Sequence, residues 1–280
     1  EGVYKGYSFS YSTLDEVNFK NVTFEKTKFN NSSLSNLVVN NSKFIKSKFD
    51  VVDLTESKFV DSDFSKSSFS YSDLSESVFN NVLFVDTKSN NSDFSEIIME
   101  KVTLDESNFN VSDFSNSKIT DSSLSDISLS YANLKEVEMV QVDLDECECN
   151  NSDFGKSILS SVSSVDSNFT VADFTKATIV DSNFLESEFA YANFEKATIE
   201  NTVFDEVESN NADFSKATIT NISFIDANLK VANFGKAKLV NVDFSGSDLT
   251  YASFKGAELT NVKFGDADLS NANFDDVIQN

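Results

Sequence analysis

The chain has 280 residues, with 46 acidic side chains against 22 basic ones, a net charge of −24 and an isoelectric point near 4.2. His, Pro and Trp are absent, and Phe occurs 28 times. This excludes phosphate-directed nucleic-acid binding, and it removes imidazole from both catalysis and metal ligation.

The first unit of the chain, Gly2-Val3-Tyr4-Lys5-Gly6, sets a five-residue pattern that runs to the end without an insertion. A small residue falls at numbers ending in 2 or 7 and a large apolar centre at numbers ending in 4 or 9. Polar residues fill most other places. Residues two apart share a face of an extended chain, so each unit aims one small and one large side chain inward. Neither a straight strand nor an α-helix keeps centres five apart on one side. The backbone must turn once per unit, and such turning is a solenoid. Missing Pro agrees with a ladder in which every coil needs its N–H groups.

A slower period of 20 sets the number of sides. Phe154, Phe174, Phe194, Phe214, Phe234, Phe254 and Phe274 form one column, and Ile179, Ile199 and Ile219 belong to the next. Four units make a four-sided coil. The whole predicts an all-β, right-handed quadrilateral β-helix of about 14 coils and about 65 Å, continuous over 1–280 as one domain and uncapped at both ends.

The units ADFTK (172–176), ANFEK (192–196), ADFSK (212–216) and ANFGK (232–236) resemble the repeat of the pentapeptide-repeat family. The resemblance covers essentially the whole chain, and it implies the same right-handed, four-sided β-helix with a solid core.

In the N-terminal half the small position favours Ser, as at Ser32, Ser72, Ser92 and Ser112. In the C-terminal half it favours Ala, as at Ala172, Ala192, Ala212, Ala232 and Ala252. A corner is expected at this small residue, and each buried Ser hydroxyl is expected to bond a nearby backbone group. The position before the centre is Asp or Asn down one side: Asp53, Asp73, Asp93, Asp113, Asn133, Asp153, Asp173, Asn193, Asp213 and Asn233. These read as Asx turns. Cys147 and Cys149 occupy a small position and a centre of one unit and read as buried thiols, not as a disulfide or metal site.

Three exposed patterns remain. Acids recur at Asp86, Glu106, Asp126, Glu146, Asp166, Glu186, Glu206 and Asp226. Lysines recur at Lys156, Lys176, Lys196, Lys216 and Lys236, ten residues out of phase and so on the opposite corner. Finally, Tyr, Asn and Val alternate every 20 residues: Tyr11, Asn31, Val51, Tyr71, Asn91, Val111, Tyr131, Asn151, Val171, Tyr191, Asn211, Val231, Tyr251, Asn271. The same 60-residue period places small residues at the centres Ser89, Cys149 and Ser209. Either a duplicated three-coil block left this cycle, or the corner meets a periodic partner. The candidate interface is Tyr11, Tyr71, Tyr131, Tyr191 and Tyr251 with Glu146, Asp166, Glu186, Glu206 and Asp226.

No enzyme, cofactor, metal or small-molecule ligand is expected. There is no Gly-rich phosphate loop among the seven Gly, and stacked exposed acids lack the desolvation that tunes a catalytic pKa. No apolar run is long enough to span a membrane. The reading is a structural or scaffolding rod that meets a protein partner, or copies of itself, end to end or laterally. The family resemblance supplies the alternative. Its quinolone-resistance subgroup is acidic, resembles duplex DNA and protects type II topoisomerases. This chain lacks that subgroup's coil-interrupting loop and terminal dimerisation helix, so no residue carries over.

Overall fold

The computed structural model describes residues 2–279, in two compact units, Glu1–Glu138 and Met139–Asn280. Both are built from parallel coils of about 20 residues, about 14 in all, and no helix occurs among the described residues. In the first unit, β1 (Gly2–Lys5), β2 (Asn18–Lys20), β3 (Val22–Glu25) and β4 (Val38–Asn40) set the register. β1 runs parallel to β3 with Gly2 opposite Val22, and β2 to β4 with Asn18 opposite Val38. The second unit repeats this step of 20: Ile179 lies opposite Ile199, Ile199 opposite Ile219, and Ile219 opposite Leu239.

The centres fill the interior. In the first unit Phe29, Phe49 and Phe69 stack with ring centroids 4.8 Å apart. In the second, the column from Phe154 to Phe274 keeps centroids 4.7–5.0 Å apart and rings within 7° of parallel. That spacing is the separation of neighbouring strands, so one ring per coil fits without strain. Adjacent columns meet edge to face, as Phe184 does with Phe189 at 77°, a favoured aromatic geometry. Phe174 and Phe184 are fully buried.

The bend does not lie at the small residue. It lies on the two residues that follow the centre, and the second of them has positive φ at every fifth position from Gly6 to Asp276, between 44° and 74°. The small residue comes next and points inward, because the left-handed residue has already swung the chain round. Each corner amide bonds the next coil: Tyr191 N–H donates to Asn210 O at 3.0 Å and Lys196 N–H to Ser215 O at 3.0 Å. The Asx reading holds at all ten positions. Thr55, Ser75, Ser95, Ser115, Lys135, Gly155, Thr175, Glu195, Ser215 and Gly235 each donate their N–H to the Oδ1 two residues earlier, at 2.8–3.2 Å. A ladder of amides lines one corner of the second unit, where Asn201, Asn221, Asn241 and Asn261 each donate Nδ2 to the side chain one coil earlier.

Buried Ser and Ala satisfy the inner backbone differently. Ser77 donates its hydroxyl to Leu54 O at 3.0 Å and accepts the Ser57 N–H at 2.9 Å, so it ties two groups of the preceding coil. Ser92 and Ser112 do the same. Ala192 and Ala212 have no hydroxyl to offer, and their own N–H groups close on Phe189 O and Ser209 O three residues back.

Cys147 and Cys149 differ from the expectation: they form a disulfide. Residues two apart in an extended segment aim the same way, and with Cα atoms 5.6 Å apart these two lie within disulfide reach. Ser164 is a further small centre, in another column. Ser89 and Ser209 are fully buried, with hydroxyls that have no hydrogen-bond partner.

The two kinds of buried Ser should respond oppositely to loss of the hydroxyl. Ser77→Ala strands two backbone groups and should cost about 1–3 kcal/mol, whereas Ser209→Ala removes an unpaired polar atom and should be neutral or stabilising by about 1 kcal/mol. Denaturant midpoints test this, and equal losses in the two variants would refute it.

Candidate interaction surface

Because every corner has the same backbone, what varies along a corner is side-chain chemistry alone. In the first unit one corner carries Tyr11, Asn31, Val51, Tyr71, Asn91, Val111 and Tyr131. In the second unit it carries Asn151, Val171, Tyr191, Asn211, Val231, Tyr251 and Asn271. The tyrosines Tyr11, Tyr71, Tyr131, Tyr191 and Tyr251 are 60–83% exposed, and the valines 50–54%. All have φ between 59° and 63°. Asn tolerates that conformation, but for a β-branched residue it is an outlier. Four valines therefore sit strained, apolar and half in water, where the fold would accept Asn at lower cost.

The predicted acids Glu146, Asp166, Glu186, Glu206 and Asp226 are exposed in one row of the second unit, each at a left-handed corner position. The corresponding row of the first unit was only partly anticipated. After Gly6 it carries Lys26, Lys46 and Lys66 and turns acidic at Asp86, Glu106 and Asp126. A second row differs in the same way. It is Lys156, Lys176, Lys196, Lys216 and Lys236, then Gly256 and Asp276, in the second unit, but Glu16, Asn36, Glu56, Glu76, Glu96, Asn116 and Glu136 in the first. The signal for both was in the sequence, since numbers equal modulo 20 share a row.

Two shallow depressions lie on lysine-rich ground. One of about 370 Å³ in the first unit is lined by Lys46, Lys48, Lys66 and Lys88. One of about 630 Å³ in the second is lined by Lys216, Lys236 and Lys255, with Gly235 and Gly256. Beside the latter, Glu195 lies 2.7 Å from Lys216 Nζ and 3.0 Å from Lys196 Nζ. The hydrogen bond from Lys216, then that from Lys196, holds its carboxyl down to about 2. Among the described residues no cluster of His, Cys, Asp or Glu is arranged to hold a metal ion. No helix long and apolar enough to cross a membrane occurs among them.

The family described as "Pentapeptide repeat region" matches residues 17–94 and 209–274, and "Pentapeptide repeats (8 copies)" matches 122–160 and 167–205. Among solved structures, trypsin-treated QnrB1, a plasmid-mediated fluoroquinolone resistance protein, is 21% identical. That alignment covers 65% of this chain and 91% of the other, with a TM-score of 0.40. HetL, a pentapeptide repeat protein involved in heterocyst differentiation regulation from the cyanobacterium Nostoc, is 19% identical, covering 83% and 90%, with a TM-score of 0.22. A hyper-glycosylated TibA fragment is 10% identical, covering 100% and 97%, with a TM-score of 0.49. No curated protein matches in sequence.

The Glu195 carboxyl should titrate near 2 rather than its ordinary 4.5. Its folded value is depressed, so its contribution to stability is present above about pH 4.5 and is lost as pH falls toward 2. Lys216→Gln should raise the midpoint measured by NMR. A wild-type midpoint near 4.5 would show that the two lysines do not hold this carboxylate in solution.

Proposed function

The chain belongs to the pentapeptide-repeat family, and from that premise we propose that it is a non-enzymatic scaffold acting through protein–protein contacts along its corners. The observation that carries this reading is the strained, exposed valine at Val51, Val111, Val171 and Val231, interleaved with exposed tyrosines. Neither the core nor the ladder gains from these side chains. Tyr is enriched at protein interfaces and supplies contact area at small entropic cost. Within each unit the tyrosines recur every three coils, about 14 Å at the usual strand spacing, which suits a partner of matching period, including another copy.

The net charge of −24 supports a second reading, an acidic mimic of duplex DNA that binds a type II topoisomerase. Against it stand the lysine rows, because a duplex presents phosphate charge along its whole length.

Changing Val51, Val111, Val171 and Val231 to Asn tests the scaffold reading. Each change should raise stability by up to about 1 kcal/mol, because Asn accepts the left-handed conformation. Together with Tyr71→Asn, Tyr131→Asn and Tyr191→Asn they should weaken association in sedimentation velocity. Unchanged assembly would remove this corner from the interface. A salt-sensitive complex of the wild-type chain with a type II topoisomerase would favour the mimic instead.

A further inference from the structure

Corner positions of the same phase in the 20-residue repeat carry opposite charge in the two units. In the first unit the row carries Glu56, Glu76, Glu96, Asn116 and Glu136; in the second it carries Lys156, Lys176, Lys196, Lys216 and Lys236. All ten positions are exposed, and their φ values lie between 55° and 61°. Glu and Lys are thus interchangeable as far as the backbone is concerned, so the fold does not dictate the sign. Both rows advance by one coil per 20 residues, so they have the same pitch, about 4.8 Å. Aligning one Glu with one Lys aligns them all.

Resting on the scaffold reading above, we propose that the glutamate row of one copy docks on the lysine row of a second copy. Run in opposite directions, Glu56, Glu76, Glu96 and Glu136 face Lys236, Lys216, Lys196 and Lys156, and Asn116 faces Lys176. Run in the same direction, the four glutamates still face lysines and Asn116 faces Lys216. Among these ten positions like charges never meet in either sense; at the end of the row the opposite-direction pairing sets Glu16 against Asp276, and the same-direction pairing does not.

The surroundings fit. Beside the glutamates, Asp53, Asp73, Asp93 and Asp113 deepen the acidic edge, with Lys58 and Lys118 on the following face. Beside the lysines, Asp153, Asp173 and Asp213 each accept a backbone N–H within their own turn, as Asp53, Asp73, Asp93 and Asp113 do beside the glutamates, so these carboxylates are common to both rows and the difference in sign lies in the rows themselves; Glu195 is shared between Lys196 and Lys216. Lys238 and Lys255 add positive charge. The depression of about 630 Å³ lined by Lys216, Lys236 and Lys255 gives incoming carboxylates a recess at its lysine side, with Asp276 as the one acid on its wall.

Reversing one row at a time gives a decisive test. The E56K/E76K/E96K chain has lysine on both rows, and the K196E/K216E/K236E chain has glutamate at three places on a row that was basic. By analytical ultracentrifugation at low salt, each alone should self-associate at least tenfold more weakly than wild type, with an unchanged circular dichroism spectrum. Mixed in equal amounts, they should associate again. Wild-type association should weaken from about 50 mM to about 500 mM salt, as screening requires. Variants that associate like wild type, or a mixture that does not recover, would overturn the pairing, and so would a monomeric wild type. If the reversals have no effect while the Tyr and Val replacements abolish assembly, this pairing fails and the scaffold reading stands.

Discussion

One left-handed residue in every five governs the structure. For an L-residue that conformation costs on the order of 1–2 kcal/mol, and here it falls on Lys, Glu, Asp, Tyr and Val as well as on Asn and Gly. No single coil can sustain that cost. What offsets it is the neighbour: the amide of each left-handed residue bonds a carbonyl of the next coil, and the centre three residues later stacks on its equivalent 20 residues away. Stability is therefore a property of stacked coils rather than of any unit in isolation.

The inner lining shows that one backbone requirement can be met by two chemistries. Where Ser occupies the small position, as at Ser77, Ser92 and Ser112, its hydroxyl reaches back to a carbonyl and an amide of the preceding coil; Ser152 instead bonds Cys149 O within its own turn, and the Ser157 hydroxyl has no partner. Where Ala occupies that position, the turn closes on itself through its own N–H. The turn bond is also made at Ser72 and Ser112, to Phe69 O and Phe109 O, so the shift from Ser to Ala along the chain removes side-chain bonds between coils and leaves the bonds within turns. The unpaired hydroxyls of Ser89 and Ser209 mark places where Ser stands at a centre, facing rings instead of backbone.

Much of this was legible in the sequence. The columns of Phe and Ile, the step of 20 and the ten Asx turns are all consequences of periodicity, and periodicity survives in one dimension. The position of the bend was not legible. The small residue looks like the natural corner, but the left-handed position is the one immediately before it, on residues such as Lys176 and Val171 that carry no turn preference. Stacking forces their conformation, and local composition carries no trace of it. The Cys147–Cys149 disulfide was missed for a related reason, because spacing alone does not distinguish two inward thiols from a bonded pair. The reversal of sign between Glu96 and Lys196 was fully present in the sequence and needed only both ends of the row to be compared.

That distinction matters for function. If the coil imposes corner geometry, corner identity is free to vary, and a regular surface pattern then needs a cause outside the fold. Duplication of a three-coil block supplies one cause for the Tyr–Asn–Val cycle, since the small centres Ser89, Cys149 and Ser209 share its period. It does not explain why left-handed valines persist where Asn, already present at Asn31, Asn91 and Asn211, would relieve strain. Nor does it explain the charged rows, whose signs run in long blocks instead of alternating every 60 residues. Two different patterns on different corners are what the two proposed contacts, one apolar and one electrostatic, would require of a backbone indifferent to both.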